Sequence, residues 1–312
     1  MLYNLSSVSK AAVVPNDTVS DIALHDTYDI FAATSWDCSI YYYDANDSLG
    51  HKSTTKLDAP LLSGSFFDGN KMVAGAVNGT LYVVDVATNQ VSEIKGHDLG
   101  IKKVKVYNNI VITGSWDKKL KFWDLRSNAP LFTHELANKV YAMDIKNGNL
   151  ALALSNNTVV MHSIGDFQRQ RILRTKLKWQ LRSVCCSNDQ VLVGGVEGAI
   201  EVLNMSDVSD HFYKGHRNAN VLYAINCIDV HPLNSSLIAS GGNDNNVLIY
   251  NKQQRIKVHT ERTNAPVTAG RFNRNGQFYI YSTGEDWSKG YPATQFPTSV
   301  CVLDVKKAKI AV

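Results

Sequence analysis

Short apolar runs recur along the whole chain, separated by polar turn residues. A first set reads "SDIALHD", "PLLSGSF", "IKKVKVY", "VYAMDI", "LRSVCC", "INCIDV" and "VTAGRF". Each is followed by a second run: "IFAATSW", "KMVAGAV", "IVITGSW", "LALALS", "QVLVGGV", "LIASGG" and "FYIYST". After a tight polar turn comes a third: "SIYYYD", "TLYVVD", "LKFWD", "TVVMHS", "AIEVLN", "VLIYN" and "VCVLD". These segments are rich in β-branched and aromatic residues, and turn formers bound them, which is the signature of strands joined by hairpins. Asn78-Gly79 marks one hairpin directly, because both central residues tolerate positive φ. No stretch carries the apolar period of a helix.

The stretch "TGSWDKKLKFWDLRS" (Thr113 to Ser127) supplies a ruler. Its turn position, Asp117, has counterparts at Asp37, Asn78, Asn157, Glu197, Asp244 and Asp286. The steps are 41, 39, 40, 40, 47 and 42 residues. A four-stranded unit repeated about every 40–45 residues is a β-propeller blade. The expected fold is therefore all-β, a single seven-bladed β-propeller over residues 1–312, with repeats from about 20 to 305. Polar segments between units, such as His51 to Leu57, supply the outer strands. The N-terminal segment, residues 1–19, is expected to close the ring through Tyr3 to Val14, with the C-terminal "KKAKIAV" as its competitor.

Composition narrows the function classes. The net charge is +4 and the sequence pI about 8.6, which permits an acidic partner without demanding nucleic acid. The five cysteines (Cys38, Cys185, Cys186, Cys227 and Cys301) have no C-x-x-C spacing, so neither a disulfide framework nor a zinc site is expected. The start "MLYNLSSVSKAAVV" does not read as a secretory signal, and no apolar run approaches a membrane span. Sequons such as Asn78-Gly-Thr80 then read as chance matches. Nucleotide-binding, zinc-protease and serine-hydrolase motifs are absent, so no cofactor and no catalysis are expected. A hydrolase with its site in the central channel is the remote alternative. The "KKVK" run, Lys102 to Lys105, reads as a solvated strand face.

Gly96-His97 precedes the ruler stretch, and with Ser115, Asp117 and Trp123 it resembles the WD-repeat pattern. The resemblance implies a structural chain of polar bonds through His97, Ser115, Asp117 and Trp123. A Ser-His-Asp catalytic relay is the opposing reading, but that needs an exposed nucleophile, and Ser115 lies inside a strand pattern. Gly215-His216 repeats the feature, with Tyr250 in the Trp position.

Other motifs resemble one branch of that family. "FNRNGQFYIYSTGEDWSKG" (Phe272 to Gly290), "LKWQLRSV" (Leu177 to Val184), "KGHR" (Lys214 to Arg217) and "YAINCIDVHP" (Tyr223 to Pro232) are similar to the nucleoporin-docking mRNA-export factor of the Gle-two type. They are also similar to its spindle-checkpoint paralogue, the budding-uninhibited-by-benzimidazole type. The "DWSKG" block favours the export branch, whereas "TSWDCSIYYYD" and "NKVYAMDI" look as much like the checkpoint branch.

Either branch implies a docking scaffold, a monomeric propeller within a heteromeric assembly. Its partner would be an acidic Gle-two-binding peptide from a nucleoporin or a checkpoint kinase-type protein. The implied location is the nucleus, nuclear pore and cytoplasm, or the kinetochore. The resemblance places the peptide contacts at Arg182, with Lys178, Trp179, Lys214 and Arg217 around it. Guanidinium and carboxylate form a charge-assisted bond, often bidentate. The family's arginine after Glu-Gly is replaced here by Ala199. Trp287 and Lys289 are the candidate contacts for single-stranded RNA or another partner, with stacking on a base and a bond to a phosphate.

Overall fold

The computed structural model describes residues 7–46, 49–127, 129–204, 209–288, 290 and 295–311; of residues 168, 169, 209 and 210 only the backbone is considered. Every described regular element is a β-strand, and seven four-stranded antiparallel sheets form the seven blades of a propeller. Blade one runs Val19–Leu24, Ile30–Ser35, Ser39–Asp44 and Gly50–Lys56, from the innermost strand to the outermost. Blades two to six occupy 61–95, 101–135, 140–173, 181–213 and 225–262 in the same order. In blade seven, Val8–Lys10 lies antiparallel to Ser299–Asp304 as the outer strand, so the first and last strands share one sheet. That pairing closes the ring and covers the outer edge of Ser299–Asp304.

Side-chain period sets the packing. Strand residues alternate between two faces, and in an inner sheet both faces are covered by neighbouring blades. The second strand of blade one, "IFAATS", is accordingly buried from Phe31 onward, while its outer strand "GHKSTTK" is mixed. Seven apolar clusters result, one at each blade-to-blade contact. Phe31, Tyr43, Ile280 and Val302 sit in the cluster that joins blade one to blade seven.

The innermost strands share one irregularity. In each of the seven, the register slips after the first residue, leaving one residue unpaired. These extra residues are Ser20, Leu62, Lys102, Tyr141, Arg182, Asn226 and Thr268. A β-bulge re-aims a side chain and bends the strand, and here it does so at the same height around the central channel.

Below the bulges, polar side chains tie one innermost strand to the next. Ser63 Oγ donates to Asp21 at 2.5 Å and accepts from the Val104 N–H at 3.1 Å. Asp144 accepts from the Cys186 N–H, and Asp229 from the Phe272 N–H, each at 2.8 Å. Lys103 pairs with Asp21 at 3.0 Å and Lys105 with Asp144 at 2.6 Å. The "KKVK" run is thus no solvated face. Lys103 and Lys105 are committed to ion pairs in the channel, where the innermost strands leave backbone N–H groups that only side chains can reach. Burial pushes the Asp21 carboxyl up, but Lys103, Arg271 and Lys105 outweigh it and bring it down to about 2.

Candidate functional site

The Trp-Asp stretch builds a buried relay. His97 Nδ1 donates to Asp117 at 2.9 Å, and Nε2 faces Thr113 Oγ1 at 2.7 Å. Trp123 Nε1 donates to the same hydroxyl at 2.8 Å. The hydroxyl in the relay is therefore Thr113, not Ser115. Both lie on one strand face two residues apart, but only Thr113 stands over the rings of His97 and Trp123. Ser115 Oγ instead donates to the carbonyls of Gly100 (2.9 Å) and Leu99 (3.1 Å) and accepts from the Asp117 N–H. Burial lowers His97 to about 4 despite Asp117 beside it, so the ring is neutral and Nε2 accepts from Thr113. Blade six repeats the bonds, His216 to Asp244 at 2.7 Å and to Ser240 at 2.8 Å. Thr113 and Ser115 are both fully buried, which leaves no exposed nucleophile for a catalytic relay.

The features that can meet a partner lie on the upper face, where the turns between second and third strands open beside the linkers into each innermost strand. A basin of about 730 Å³ sits there at the mouth of the channel. Six of the seven bulge residues line it: Ser20, Lys102, Tyr141, Arg182, Asn226 and Thr268. Trp36, Trp116 and Trp287 form an aromatic side, Lys139 adds a cation, and Asp17, Glu285 and Asp286 add acids. Burial, with Lys103 and Arg182 as positive neighbours, lowers Lys102 to about 8. Among the described residues no group of three or more potential metal ligands occurs.

Arg182 stands in the basin wall with its side chain partly open. Its Nη1 donates to Asn226 Oδ1 at 2.9 Å and lies 3.7 Å from Asp286 Oδ2. Lys178 and Trp179 occupy the linker ahead of it, both exposed, Trp179 to 66%. The Glu197 carboxylate fixes that linker by accepting both of their backbone N–H groups, the bond to Trp179 being 2.8 Å. Lys214 and Arg217 are exposed on the next linker, and Arg217 donates to the Glu197 carbonyl at 3.2 Å. Arg217 also borders a second hollow of about 420 Å³ with Lys257 and Arg262. Ala199 is buried in the apolar cluster between blades four and five.

The five predicted peptide residues thus share one face across blades five and six, but only Arg182 reaches the basin. Trp287 lines the basin half-buried, and its Nε1 donates to Thr18 Oγ1 at 3.2 Å. Lys289 lies outside the described residues. Sequence reasoning missed Asp286, Asn226 and the bulge set. Each bulge residue directly follows a fully buried apolar residue of its innermost strand, but nothing in the composition separates it from a paired one. In chemical terms the basin offers aromatic planes and partly desolvated cations beside three acids, with further cations exposed on its flank.

The fold and the relay define a WD40-repeat propeller, and the family described as "WD domain, G-beta repeat" matches residues 11–44, 88–124 and 208–251. The chain is 30% identical to the mRNA export factor GLE2 of Chaetomium thermophilum, with 93% of this chain and 88% of that protein covered. It is also 30% identical to the Poly(A)+ RNA export protein of Schizosaccharomyces pombe, over 96% and 91%. The mitotic checkpoint protein bub3 of Dictyostelium discoideum is 26% identical, over 93% of each chain. The chain belongs to the WD-repeat family of these mRNA export factors, to which the checkpoint proteins are related. It is a WD-repeat scaffold rather than an enzyme.

Proposed function

We propose that this chain is a docking scaffold of mRNA export that grips an acidic peptide with its upper face. The observation that carries this reading is Arg182, delivered by a bulge into the mouth of the channel, with Lys178, Lys214 and Arg217 exposed beside it. The export relatives are the more similar in sequence, which favours a nucleoporin as the source of the peptide and the nuclear pore as the place. The test is binding of a glutamate-rich Gle-two-binding peptide to wild type and to Arg182→Glu, by calorimetry. Reversing a charge that meets a carboxylate lowers affinity at least about tenfold. An unchanged affinity removes Arg182 from the site.

The checkpoint relative, which matches over 93% of each chain, supports a second reading as a kinetochore adaptor. Capture from native cells separates the two: nucleoporins support export, a checkpoint kinase the other. Trp287 lines the same basin, so single-stranded RNA is a further candidate contact. If Trp287→Ala leaves the binding of a short RNA unchanged, that contact is wrong.

A further inference from the structure

Arg182 already faces a carboxylate of its own chain. Asp286 Oδ2 lies 3.7 Å from Arg182 Nη1. That distance balances charge but exceeds the 2.7–2.9 Å of a strong guanidinium–carboxylate bond. Asp286 cannot close the gap freely, because other groups hold it. Asn243 Nδ2 donates to its Oδ2, and the Ser288 hydroxyl and N–H donate to its Oδ1 at 2.9 and 3.2 Å. Arg182 in turn is anchored through Nη1 to Asn226, which itself bonds Asn243 and the Val267 carbonyl. The pair is fixed from both sides in an incomplete contact. A guanidinium carries five N–H donors, so it retains capacity for an incoming carboxylate.

We propose that Asp286 is a built-in competitor for the partner's carboxylate, and that it sets the affinity and charge threshold of the upper-face site. The inference rests on the reading of Arg182 as the carboxylate-binding residue. An arriving glutamate must share Arg182 with Asp286 and tolerate its repulsion. A peptide with one acidic residue gains little from this exchange. One with several gains also from Lys178, Lys214 and Arg217. Asp286 thereby selects for clustered acids and against isolated ones.

The experiment measures the affinity of a multiply acidic peptide for wild type, Asp286→Asn, Glu285→Gln, Arg182→Gln and the double variant Arg182→Gln/Asp286→Asn. Melting temperatures identify variants that fold. Relieving one like charge at this range, part-screened by water, tightens binding roughly five- to tenfold in Asp286→Asn. The gain disappears in the Arg182→Gln background, because the competitor has lost what it competes for. Glu285→Gln changes the basin charge equally without touching Arg182, and its gain is smaller. Unchanged or weaker binding by Asp286→Asn overturns the inference, as does an equal gain from Glu285→Gln. If Arg182→Gln itself binds like wild type, the fault lies in the peptide-site reading. Should Asp286→Asn fail to fold, Asp286→Ser carries the same comparison.

Discussion

Replacing Thr113 by valine removes one hydroxyl that two buried rings share. Trp123 is fully buried and His97 nearly so, and each directs a ring nitrogen at Thr113 Oγ1, at 2.8 and 2.7 Å. Valine has nearly the shape of threonine, so little cavity forms. What changes is that an indole N–H and an imidazole nitrogen lose their partner where water does not reach. Each unpaired buried group costs about 1–3 kcal/mol, so Thr113→Val is expected to cost about 3 kcal/mol. For a chain of this size that lowers Tm by roughly 6 °C. Ser115→Ala is the matched control. The Gly100 carbonyl keeps the Trp116 N–H at 3.0 Å after the Ser115 hydroxyl is gone, so the expected loss is about 1 kcal/mol. Urea unfolding followed by tryptophan fluorescence measures both. A Ser115→Ala cost equal to or above that of Thr113→Val refutes the assignment of the relay.

Two further outcomes follow from the buried charges. His97 and His162 are both lowered by burial to about 4, His162 with help from His134, against an ordinary value of 6.5. As pH falls from 6.5 toward 4 the unfolded chain takes up protons that the folded chain refuses, so stability present above pH 6.5 drains away. Asp21, lowered to about 2, adds a second loss below about pH 4. Urea midpoints recorded from pH 7.5 to 3 therefore fall in two stages, and a flat profile between pH 6.5 and 4.5 contradicts the neutral buried rings. In the channel, Asp144→Ala strands Lys105, which is 7% exposed, and unpairs the Cys186 N–H, for a cost of about 3–5 kcal/mol. Adding Lys105→Met recovers much of that loss, and if the double variant is no better than the single one, the ion pair is not what holds these strands.

The blades were legible in the sequence because strand period and repeat spacing are local properties. A run such as "IVITGSW" announces its own strand, and the Asp117 position announces its own turn. His97, Asp117 and Trp123 were legible for the same reason. Thr113 was not, since it and Ser115 are hydroxyl residues on one strand face, and only their distance to the rings separates them. Lys103 and Lys105 were misread because their partners Asp21 and Asp144 belong to other blades, and an inward-facing polar pattern in a channel looks like an outward-facing one. The bulge that aims Arg182 is equally silent: one unpaired residue changes direction without changing composition. Asp286 became visible as its neighbour only once blades five and seven were brought to the same basin.

Carboxylate recognition by the upper face is the proposal on which the others rest. It is tested most directly by one comparison on the wild-type chain: a glutamate-rich peptide against the same peptide with every glutamate replaced by glutamine, titrated at low and at high salt. The glutamate peptide is expected to bind at least about tenfold more tightly, and its advantage to shrink as salt rises. Equal affinity of the two peptides at low salt would contradict it.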